Sequence, residues 1–569
     1  MPVTTPPVGG PLGRSRRRLS GSAYSTWRRC PTEWRITRGL GLGGPTSPSQ
    51  VLGHVLEDGV IRLIMRHAPA GADRATLLAW LTACAEEEAQ LVREEGLRRW
   101  EALPWRREWD TPGWPFTVED LTSRLMSAVD LMMVEVDRCV EVGGGPYLSA
   151  MRANERSFDV PAPCDGARPE HPLPDRWPAH LDEAPKAGFT GWNAPGAAPD
   201  HAEAWEVVRP WVKDPRIGQP QRLFHPEGWA AGELDLVLRW DGRTRLVDLK
   251  SGDGGGPYGA SLYDQMRFYG WLWEACFGTA PDGLEGWYLN GGLRAPVEPF
   301  PDHQAATSDL ESVALLMAEG SEGAMALPLS SEATCERPDC RWCALSTPEG
   351  VNALLEDRCG GRAVVPSIAP PFEALANIPH RVNVRGTLDG RWGPLPNHFG
   401  EPVLGAALTS GRAHVALEES QPGAAPGLHE VDTGPVLVRG ALPGAWRGAP
   451  RLYADAGTTF HDDEPEAEVT RLGMLRTRAN VSALVISIGR GNGIRLDGRP
   501  WSMGTLHIFD GSRVIEVAMF GSTLTDRILS IRPGDHVKLT GAELGWREGM
   551  PQLRIDARST RVEVHSAPS

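Results

Sequence analysis

Long apolar runs are missing from this sequence. No stretch of about 18 apolar residues occurs. A basic cluster at residues 14–18 is not followed by the apolar segment of an export signal. The sequence therefore predicts a cytoplasmic protein with no membrane partner.

Cysteine is also scarce, with nine residues in a chain of 569. Without an export signal the thiols are expected to stay reduced. Clustered cysteines are then interpreted as metal ligands before they are interpreted as disulfides.

Positive charge is in deficit, with a formal net charge of −15. This argues against a protein that coats nucleic acid with its whole surface, but it leaves a local basic cleft open. Residues 470–569 carry 14 Arg or Lys against 9 Asp or Glu, so the C-terminal part is basic.

A Walker A motif is missing too, so any helicase motor would be a partner on a separate chain.

The middle of the chain alternates between helical and strand patterns. Helical periodicity covers residues 72–100 and 117–140, and residues 141–219 are predicted to be an irregular insertion rich in Pro and Gly. Residues 233–240 and 244–250 are strand-like, and Asp241-Gly242 between them is a typical hairpin turn. A helix, a strand and another helix are predicted over residues 262–277, 284–289 and 308–318. This order predicts an α/β core with helical insertions.

The last third of the chain is predicted to be all-β and duplicated. Residues 436–456 align without gaps on residues 537–557, with nine of 21 positions identical. The strands and turns of the second copy are typical of an OB-fold, a small barrel that binds single-stranded nucleic acid. The fold class is therefore an α/β core followed by two small OB-like barrels.

The hairpin brings together residues suited to phosphodiester hydrolysis. Asp235 and Asp248 can lie side by side on neighbouring strands. Lys250 projects from the same face as Asp248, because strand side chains alternate. Carboxylates are the ligands that Mg²⁺ and Mn²⁺ prefer, the carbonyl of Leu249 can add another, and an ammonium can stabilise charge at phosphorus.

Three consecutive motifs make this pattern more specific. They are Gly232-Glu-Leu-Asp235, Leu246-Val-Asp-Leu-Lys-Ser-Gly252 and Gln265-Met-Arg-Phe-Tyr269. Together they resemble the motifs of RecB-like nucleases of the PD-(D/E)XK superfamily. The resemblance implies catalytic roles for Asp235, Asp248, Lys250, Gln265 and Tyr269. It also implies that His54, on an earlier helix, is a metal ligand beside Asp235, Asp248 and Leu249.

Each of these residues also has an ordinary structural interpretation. An Asp-x-Lys pair by itself is more often an exposed pair on a strand. His54 can be a helix residue packed against its neighbours. Gln265 and Tyr269 lie one helical turn apart, so they face together and can belong to the core.

Four cysteines flank the α/β core: Cys30 before it, and Cys335, Cys340 and Cys343 after it. Ser25–Trp34 resembles the opening of iron–sulfur members of the family, such as CRISPR-associated RecB-like exonucleases and AddAB-type nucleases. That resemblance implies a [4Fe–4S] cluster on the four thiolates. The C-terminal spacing departs from the family pattern, so a Zn²⁺ site remains the alternative, and Cys359 is a possible substitute ligand.

Candidate nucleic-acid contacts are basic and aromatic residues of the second barrel: Arg490, Arg495, Trp501, Phe509, Arg513, Trp546, Arg547 and Arg554. The first barrel is nearly neutral and can be structural instead.

The predicted domains are a tail (1–20), a nuclease domain with its insertion and cysteine cluster (21–359), an OB-like module (375–460), an acidic linker (461–474) and an OB-fold module (475–569).

The leading hypothesis is a Mg²⁺- or Mn²⁺-dependent deoxyribonuclease. It would act on single-stranded DNA or DNA ends, with exonuclease action favoured, in repair, recombination, replication-end processing or phage defence. The alternative is a non-catalytic protein that binds single-stranded nucleic acid or serves as a scaffold.

Overall fold

The computed structural model describes residues 18–106, 113–153, 164–167, 189–210, 222–255, 258–323, 325–329, 340, 342–360, 364–397, 402–446, 448–462, 468–494 and 500–566. The chain forms two compact units. The α/β unit comprises Leu19–Arg29 and Thr46–Glu311, and the barrel unit comprises Met1–Arg18, Cys30–Pro45 and Ser312–Ser569. The sequence prediction placed residues 30–45 and 312–359 in the nuclease domain, whereas here they belong to the barrel unit.

The helices in the described residues are α1 Gly21–Arg29, α2 Pro31–Trp34, α3 Pro48–Ile64, α4 Arg74–Ala102, α5 Val118–Glu141, α6 Leu148–Arg152, α7 His201–Val208, α8 Tyr258–Phe277, α9 His303–Gly323, α10 Pro348–Cys359, α11 Pro426–Glu430 and α12 Asp526–Leu529. A π-helical turn covers Arg35–Gly39, and short 3₁₀ helices cover Cys343–Ser346, Leu375–Asn377, Leu472–Met474 and Gly521–Thr523. Of the helices in these ranges, none combines the length and the apolar character needed to cross a bilayer.

Helices α3, α4 and α5 build the core of the α/β unit, as their 3.6-residue periodicity predicts. The start of α3 is fixed by a capping box, in which Ser47 and Gln50 each accept a hydrogen bond from the other's backbone amide. The inner faces of the three helices contribute fully buried side chains such as Val55, Leu81 and Val129. The same core also holds Trp287 of the sheet.

The described part of the insertion is more regular than its composition predicts. It contains α6 and α7, and Trp205 on α7 is fully buried in the core of the α/β unit. The Trp205 indole N–H donates to the carbonyl of Arg66 at 2.9 Å. The buried side chains of α7, together with the ion pairs of Glu203 with Arg152 and of Glu206 with Arg209, thus anchor a segment whose Pro and Gly content favours loops.

The strands of the α/β unit are β1 Arg222–Phe224, β2 Ala231–Glu233, β3 Leu236–Leu238, β4 Arg245–Lys250, β5 Gly283–Tyr288 and β6 Leu293–Val297. β1 and β2 form a separate antiparallel pair, and the other four form a sheet in the order β3-β4-β5-β6. β4 and β5 are parallel, so the chain must cross over between them, and α8 makes this crossover.

The β3–β4 hairpin is held in place by a buried ion pair. The carboxylate of Glu135 on α5 accepts hydrogen bonds from Arg245 on β4 at 2.6 and 2.7 Å. It also accepts one from the indole of Trp240 at 2.9 Å. Burial favours the neutral acid, but the hydrogen bonds and charge of Arg245 outweigh it and lower the pKa of Glu135 to about 2. The turn end of the hairpin, which is distant from Asp248, is therefore fixed to α5.

The barrel unit contains two barrels of the same topology. The first barrel has strands β7 Val382–Pro396, β8 Pro402–Ser410, β9 Ala413–Glu419, β10 Gly434–Trp446 and β11 Ala449–Ala454, with β12 Thr459–His461 added at β10. The second barrel has strands β13 Arg478–Ile494, β14 Pro500–Phe509, β15 Val514–Phe520, β16 His536–Arg547 and β17 Met550–Ile555, with β18 Arg561–His565 added at β16.

In both barrels the first strand pairs with the second and the fourth, and the third strand pairs in parallel with the fifth. Each sheet is thereby closed into a five-stranded barrel, with a short helix, α11 or α12, between its third and fourth strands. This is the OB-fold topology, so the prediction of two OB-like barrels is confirmed.

The same backbone irregularity recurs in both barrels, which supports the duplication. Gly440 and Gly541 have φ of 70° and 73° and interrupt the fourth strand at equivalent positions. The Gly440 amide donates to the side-chain oxygen of Asn383 at 3.0 Å. The Gly541 amide donates to Asn480 at 2.8 Å. Each Asn lies at the start of the first strand, so it ties the first and fourth strands together.

We expect Gly541→Ala to destabilise the second barrel. An alanine there would keep a left-handed backbone, and its Cβ would lie 2.9 Å from the carbonyl oxygen of Ser559. The free energy of unfolding should fall by about 1–3 kcal/mol, measured by urea denaturation of the full chain. Gly473→Ala is the matched control, because its Cβ would meet only Ala413 at 3.9 Å. Equal stability of the two variants would contradict this interpretation of the turn.

Candidate active site

Asp248 lies at the centre of a cluster of polar side chains at the end of β4. It is buried, with 3% of its surface exposed. Its Oδ2 lies 2.5 Å from the ammonium nitrogen of Lys250. The ammonium of Lys250 is thus the partner of this buried carboxylate oxygen.

Gln265 on α8 connects the other members of the cluster. Its side-chain oxygen accepts from Lys250 Nζ at 3.1 Å. Its nitrogen donates to Asp248 Oδ1 at 3.2 Å and to the hydroxyl of Tyr269 at 2.9 Å. Gln265 and Tyr269 face together because they are four residues apart on the helix. The structure thus brings four of the predicted catalytic residues into one hydrogen-bonded network.

Asp235 joins this network through the backbone of the hairpin. Leu236 pairs with Val247 across the two strands, and the same register places Asp235 opposite Asp248. Asp235 Oδ2 accepts a hydrogen bond from the amide of Leu249 at 2.8 Å. The carboxylate is therefore held beside β4 by a main-chain contact that a change of neighbouring side chains does not remove.

The charges of the cluster are strongly coupled. Burial raises the pKa of Asp248 above 3.8, although the Lys250 ammonium acts in the opposite direction. Burial also acts to lower the pKa of Lys250, but the carboxylates of Asp248 and Asp235 outweigh it and the pKa rises above 10.5. Burial, reinforced by Asp248 and Asp235, raises the pKa of Tyr269 well above 10. Lys250 is thus a firmly protonated cation.

His54 is exposed on α3, and within the described residues no hydrogen bond or ion pair joins it to this cluster. Glu57 follows three residues later on the same face of the helix, and its charge contributes to the raised pKa of Asp248. The role of His54 as a metal ligand stays a prediction. Glu57 is a residue near the cluster that sequence analysis did not identify.

Tyr288 is a second residue that sequence analysis did not identify. It pairs with Lys250 in the parallel register of β4 and β5. Burial raises its pKa above 10, and the Lys250 ammonium opposes the rise. No sequence motif marks it, because its proximity depends on the crossover through α8.

The donor set suits a hard divalent cation held by few protein ligands. Among the residues that the structure describes, no group of three or more His, Cys, Asp or Glu side chains is arranged to hold a metal ion. What the hairpin offers is two carboxylates, of Asp235 and Asp248, on either side of the amide of Leu249. Mg²⁺ is commonly bound by one or two carboxylates, with water and substrate phosphates completing its shell. The oxygen ligands present fit that ion.

Two of the four predicted cluster cysteines are adjacent in the barrel unit. Cys30, at the N-terminus of α2, has its sulfur 3.8 Å from that of Cys340. The amide of Cys343 donates to the carbonyl of Cys340 at 3.0 Å, so Cys343 follows one turn later. Cys335 lies outside the described residues. Cys359 is buried, and its thiol is directed to the carbonyl oxygen of Val485. Cys359 is therefore not positioned as a substitute ligand for Cys335.

The 3.8 Å separation of these two sulfurs has more than one interpretation. Four thiolates around one tetrahedral ion with bonds of about 2.3 Å lie about 3.8 Å apart. In a cubane cluster each thiolate binds a different iron, so the sulfurs lie farther apart. The distance between the sulfurs of Cys30 and Cys340 equals that of two thiolates on one tetrahedral ion, and it also equals that of two thiols in contact. The [4Fe–4S] cluster and its Zn²⁺ alternative both stay predictions.

The candidate nucleic-acid contacts of the second barrel fall into two groups. Trp501, Trp546, Arg547 and Arg554 line one cavity of about 740 Å³. Arg490 instead donates to the carbonyl of Leu529 at 3.3 Å.

The prediction for Phe509 is wrong. Phe509 is 3% exposed, because it packs in a core that also contains Leu355 of α10 and Ile486. Its ring therefore cannot stack on a base.

The two remaining candidates are arginines. Arg513 is half-buried and donates to the carbonyl of Ile378 at 2.9 Å. Arg495 lies outside the described residues.

No protein-family model matches this chain, and no curated protein matches it in sequence. Solved structures align only with parts of it. A murine DNA-binding protein bound to double-stranded DNA is 13% identical over 33% of this chain and 97% of that chain, with a TM-score of 0.14. A replication protein A heterotrimer bound to single-stranded DNA is 13% identical over 36% of this chain and 52% of that chain, with a TM-score of 0.14. An OB domain from Thermoplasma acidophilum is 19% identical over 16% of this chain and 77% of that domain, with a TM-score of 0.13. At these scores the OB topology rests on the strand pairings of this chain alone.

We expect Lys250→Met to destabilise the α/β unit in a pH-dependent manner. The substitution leaves the Asp248 carboxylate buried without its cation, so the already raised pKa of Asp248 rises further. The folded state then holds a proton that the unfolded state releases, and stability decreases as pH rises from about 3.8 through the folded pKa. The loss should be roughly 1–3 kcal/mol near neutral pH and smaller in acid, measured by urea unfolding.

The double variant Lys250→Met with Asp248→Asn is the control, because it removes the buried charge as well. It should recover most of the stability that the single variant loses above the folded pKa. A loss that is the same at acidic and alkaline pH would contradict the coupling.

Proposed function

We propose that this protein binds single-stranded nucleic acid with its barrel unit and hydrolyses phosphodiester bonds at the cluster around Asp248. The observation that supports hydrolysis best is the network in which Gln265 bonds Lys250, Asp248 and Tyr269 together. Such a network fixes a cation and two carboxylates in one place, which hydrolysis of a charged diester requires.

Each residue of the cluster has a role that its surroundings support. The Lys250 ammonium remains protonated, so it can hold the attacking water or stabilise negative charge on the phosphate. Gln265 orients that ammonium by accepting its hydrogen bond. Tyr269, which is buried and protonated, supports Gln265 from behind.

Asp235 and Asp248, with the carbonyl of Leu249, would hold Mg²⁺ or Mn²⁺. When bound, such an ion lowers the pKa of water and neutralises charge on the phosphate. His54 stays in this proposal as a further ligand, because it lies on the same face of α3 as Glu57. Glu57 is the α3 residue whose charge reaches the site.

Binding of nucleic acid is supported by the two barrels. OB-folds bind single strands with aromatic side chains that stack on bases and with basic residues that contact the backbone. Trp501 and Trp546 are half-buried at the second barrel's cavity, and Arg547 is exposed beside them.

A non-catalytic role is the alternative that the barrels support equally well. A protein that only binds single-stranded nucleic acid, or that serves as a scaffold, would use the same barrels and keep the α/β unit for stability. The two functions differ in what they require of Asp248. A scaffold needs only that the unit fold, whereas hydrolysis needs the carboxylate itself.

We expect the intact protein to cleave single-stranded DNA in the presence of Mn²⁺ or Mg²⁺. Asp248→Asn and Asp235→Asn should each lower the rate by at least about 100-fold, because each removes a charge from the metal site. Single strands labelled at the 5′ or the 3′ end, resolved on denaturing gels, would measure the rate and show which end is attacked.

Asp302→Asn is a suitable control, since Asp302 is exposed and caps α9 through a hydrogen bond from Ala305 that Asn can also accept. It should cleave at the wild-type rate. Binding of DNA without cleavage that responds to metal and to Asp248 would favour the scaffold function.

We also propose that Cys30, Cys335, Cys340 and Cys343 hold one structural Zn²⁺ ion. The support is the 3.8 Å spacing of two of their sulfurs. Thiolates around such an ion would connect residues 30–45 with the segment before α10, both in the barrel unit.

The purified protein should contain about one zinc per chain and no absorbance band near 400 nm. Metal analysis by plasma mass spectrometry and an anaerobic absorbance spectrum would test this. Cys340→Ala should lose the metal, whereas Cys84→Ala, in the core of the α/β unit, should retain it. Several irons per chain with a band near 400 nm would instead establish an iron–sulfur cluster.

A further inference from the structure

The two barrels share one cavity, and the first barrel contributes as much of its wall as the second. The cavity measures about 740 Å³, within the roughly 300–1,000 Å³ of small-ligand sites. Its aromatic wall residues are Trp392, Trp446 and Tyr453 from the first barrel and Trp501, Phe520 and Trp546 from the second. The rings of Tyr453 and Trp546 lie 5.2 Å apart, so the two walls are in contact.

Tyr453 and Arg554 occupy equivalent positions in the duplicated sequence, on the fifth strand of each barrel. Each lies over a glycine of the fourth strand. A Cβ on Gly444 would lie 3.0 Å from the Tyr453 ring, and one on Gly545 would lie 2.6 Å from the Arg554 side chain. The two glycines therefore let a flat side chain lie against the strand and face the cavity.

Arg554 is a cation with neutral hydrogen-bond partners. Its guanidinium donates to the side-chain oxygen of Gln552 at 3.1 Å and to the carbonyl of Trp546 at 3.2 Å. Burial lowers the pKa of its guanidinium from the ordinary value, despite the nearby carboxylates of Glu543 and Glu516. The wall of the cavity also carries carboxylates (Glu418, Glu419 and Glu548) and two further cations (Arg451 and Arg547), so Arg554 is one cationic contact in a wall of mixed charge.

Trp392 supplies the aromatic surface at the first barrel's end of the cavity. It pairs with Gly405 on β8, and a Cβ on Gly405 would lie 2.4 Å from its indole ring. The indole therefore lies flat on the strand and is only half-buried. Trp501 has a similar position in the second barrel, with Gly491 beneath it.

Resting on the proposed binding of nucleic acid, we infer that this cavity is one composite site for a single strand, in which both barrels stack bases. The first barrel is then a binding module. Its nearly neutral sequence had left open that the barrel is structural. Its lack of net basic charge is consistent with contacts to base faces, because stacking does not require positive charge. The cavity wall holds several aromatic faces for unpaired bases, which a paired duplex does not present.

The test is binding of fluorescein-labelled oligothymidylate of about 15 nucleotides to the full chain without added Mg²⁺ or Mn²⁺, measured by anisotropy. Without the divalent ion the proposed hydrolysis does not occur, so the result does not depend on the active site, and no chelator is used that would remove a structural metal from the barrel unit. Trp392→Ala in the first barrel and Trp501→Ala in the second should each weaken binding by about 5- to 100-fold. Trp392→Phe should restore most of the affinity, which excludes misfolding as the cause.

Phe372→Ala is the control, because this half-buried ring lies in the barrel unit but does not line the cavity. It should bind like the wild type. Weakening by Trp501→Ala alone would overturn the composite site while leaving nucleic-acid binding intact. Equal affinity for a duplex of the same length would also overturn it. A wild type that does not bind the oligonucleotide would refute the proposed binding function itself.

Discussion

A buried carboxylate beside a lysine is the constraint on which the α/β unit depends. Asp248 is almost fully buried and lies 2.5 Å from the Lys250 ammonium. Isolated charges are costly to bury, so the pair must be held by further hydrogen bonds. Gln265 supplies them from α8, and Glu135 fixes the hairpin from α5. The crossover helix α8 is thus joined to the hairpin at the Asp248–Lys250 ion pair, and α5 is joined to it at the separate Glu135–Arg245 ion pair.

Much of this arrangement can be predicted from local sequence. The helices α3 to α5 follow their apolar periodicity, and the hairpin follows from Asp241-Gly242 between two strand-like runs. The register of that hairpin places Asp235 opposite Asp248, as the alternation of side chains requires. The hydrogen bonds of Gln265 and Tyr269 agree with their four-residue spacing.

The parts that failed depend on tertiary packing. Glu57 was missed, because its effect on the pKa of Asp248 depends on how α3 packs beside the hairpin. The sequence pattern of its strand allows the Phe509 side chain to lie on either face of the sheet. Phe509 is buried because α10 packs on its face. Helix α7 shows that an insertion whose composition favours loops can contain a helix that is buried in the core.

Duplication explains how the barrel unit acquired a cavity with two similar walls. Equivalent glycines on the fourth strands hold Tyr453 in one barrel and Arg554 in the other. The repeat is visible in sequence, but the shared cavity depends on how two folded barrels pack. The proposed binding and the proposed hydrolysis would belong to different compact units of one chain.

The central claim is that the two hairpin carboxylates form a divalent-metal site. A crystal of the protein grown with Mn²⁺ would test it directly through anomalous scattering at the manganese edge. The account predicts a manganese peak bonded to the carboxylate oxygens of Asp235 and Asp248. Manganese elsewhere in the protein, with none at these two carboxylates, would contradict it.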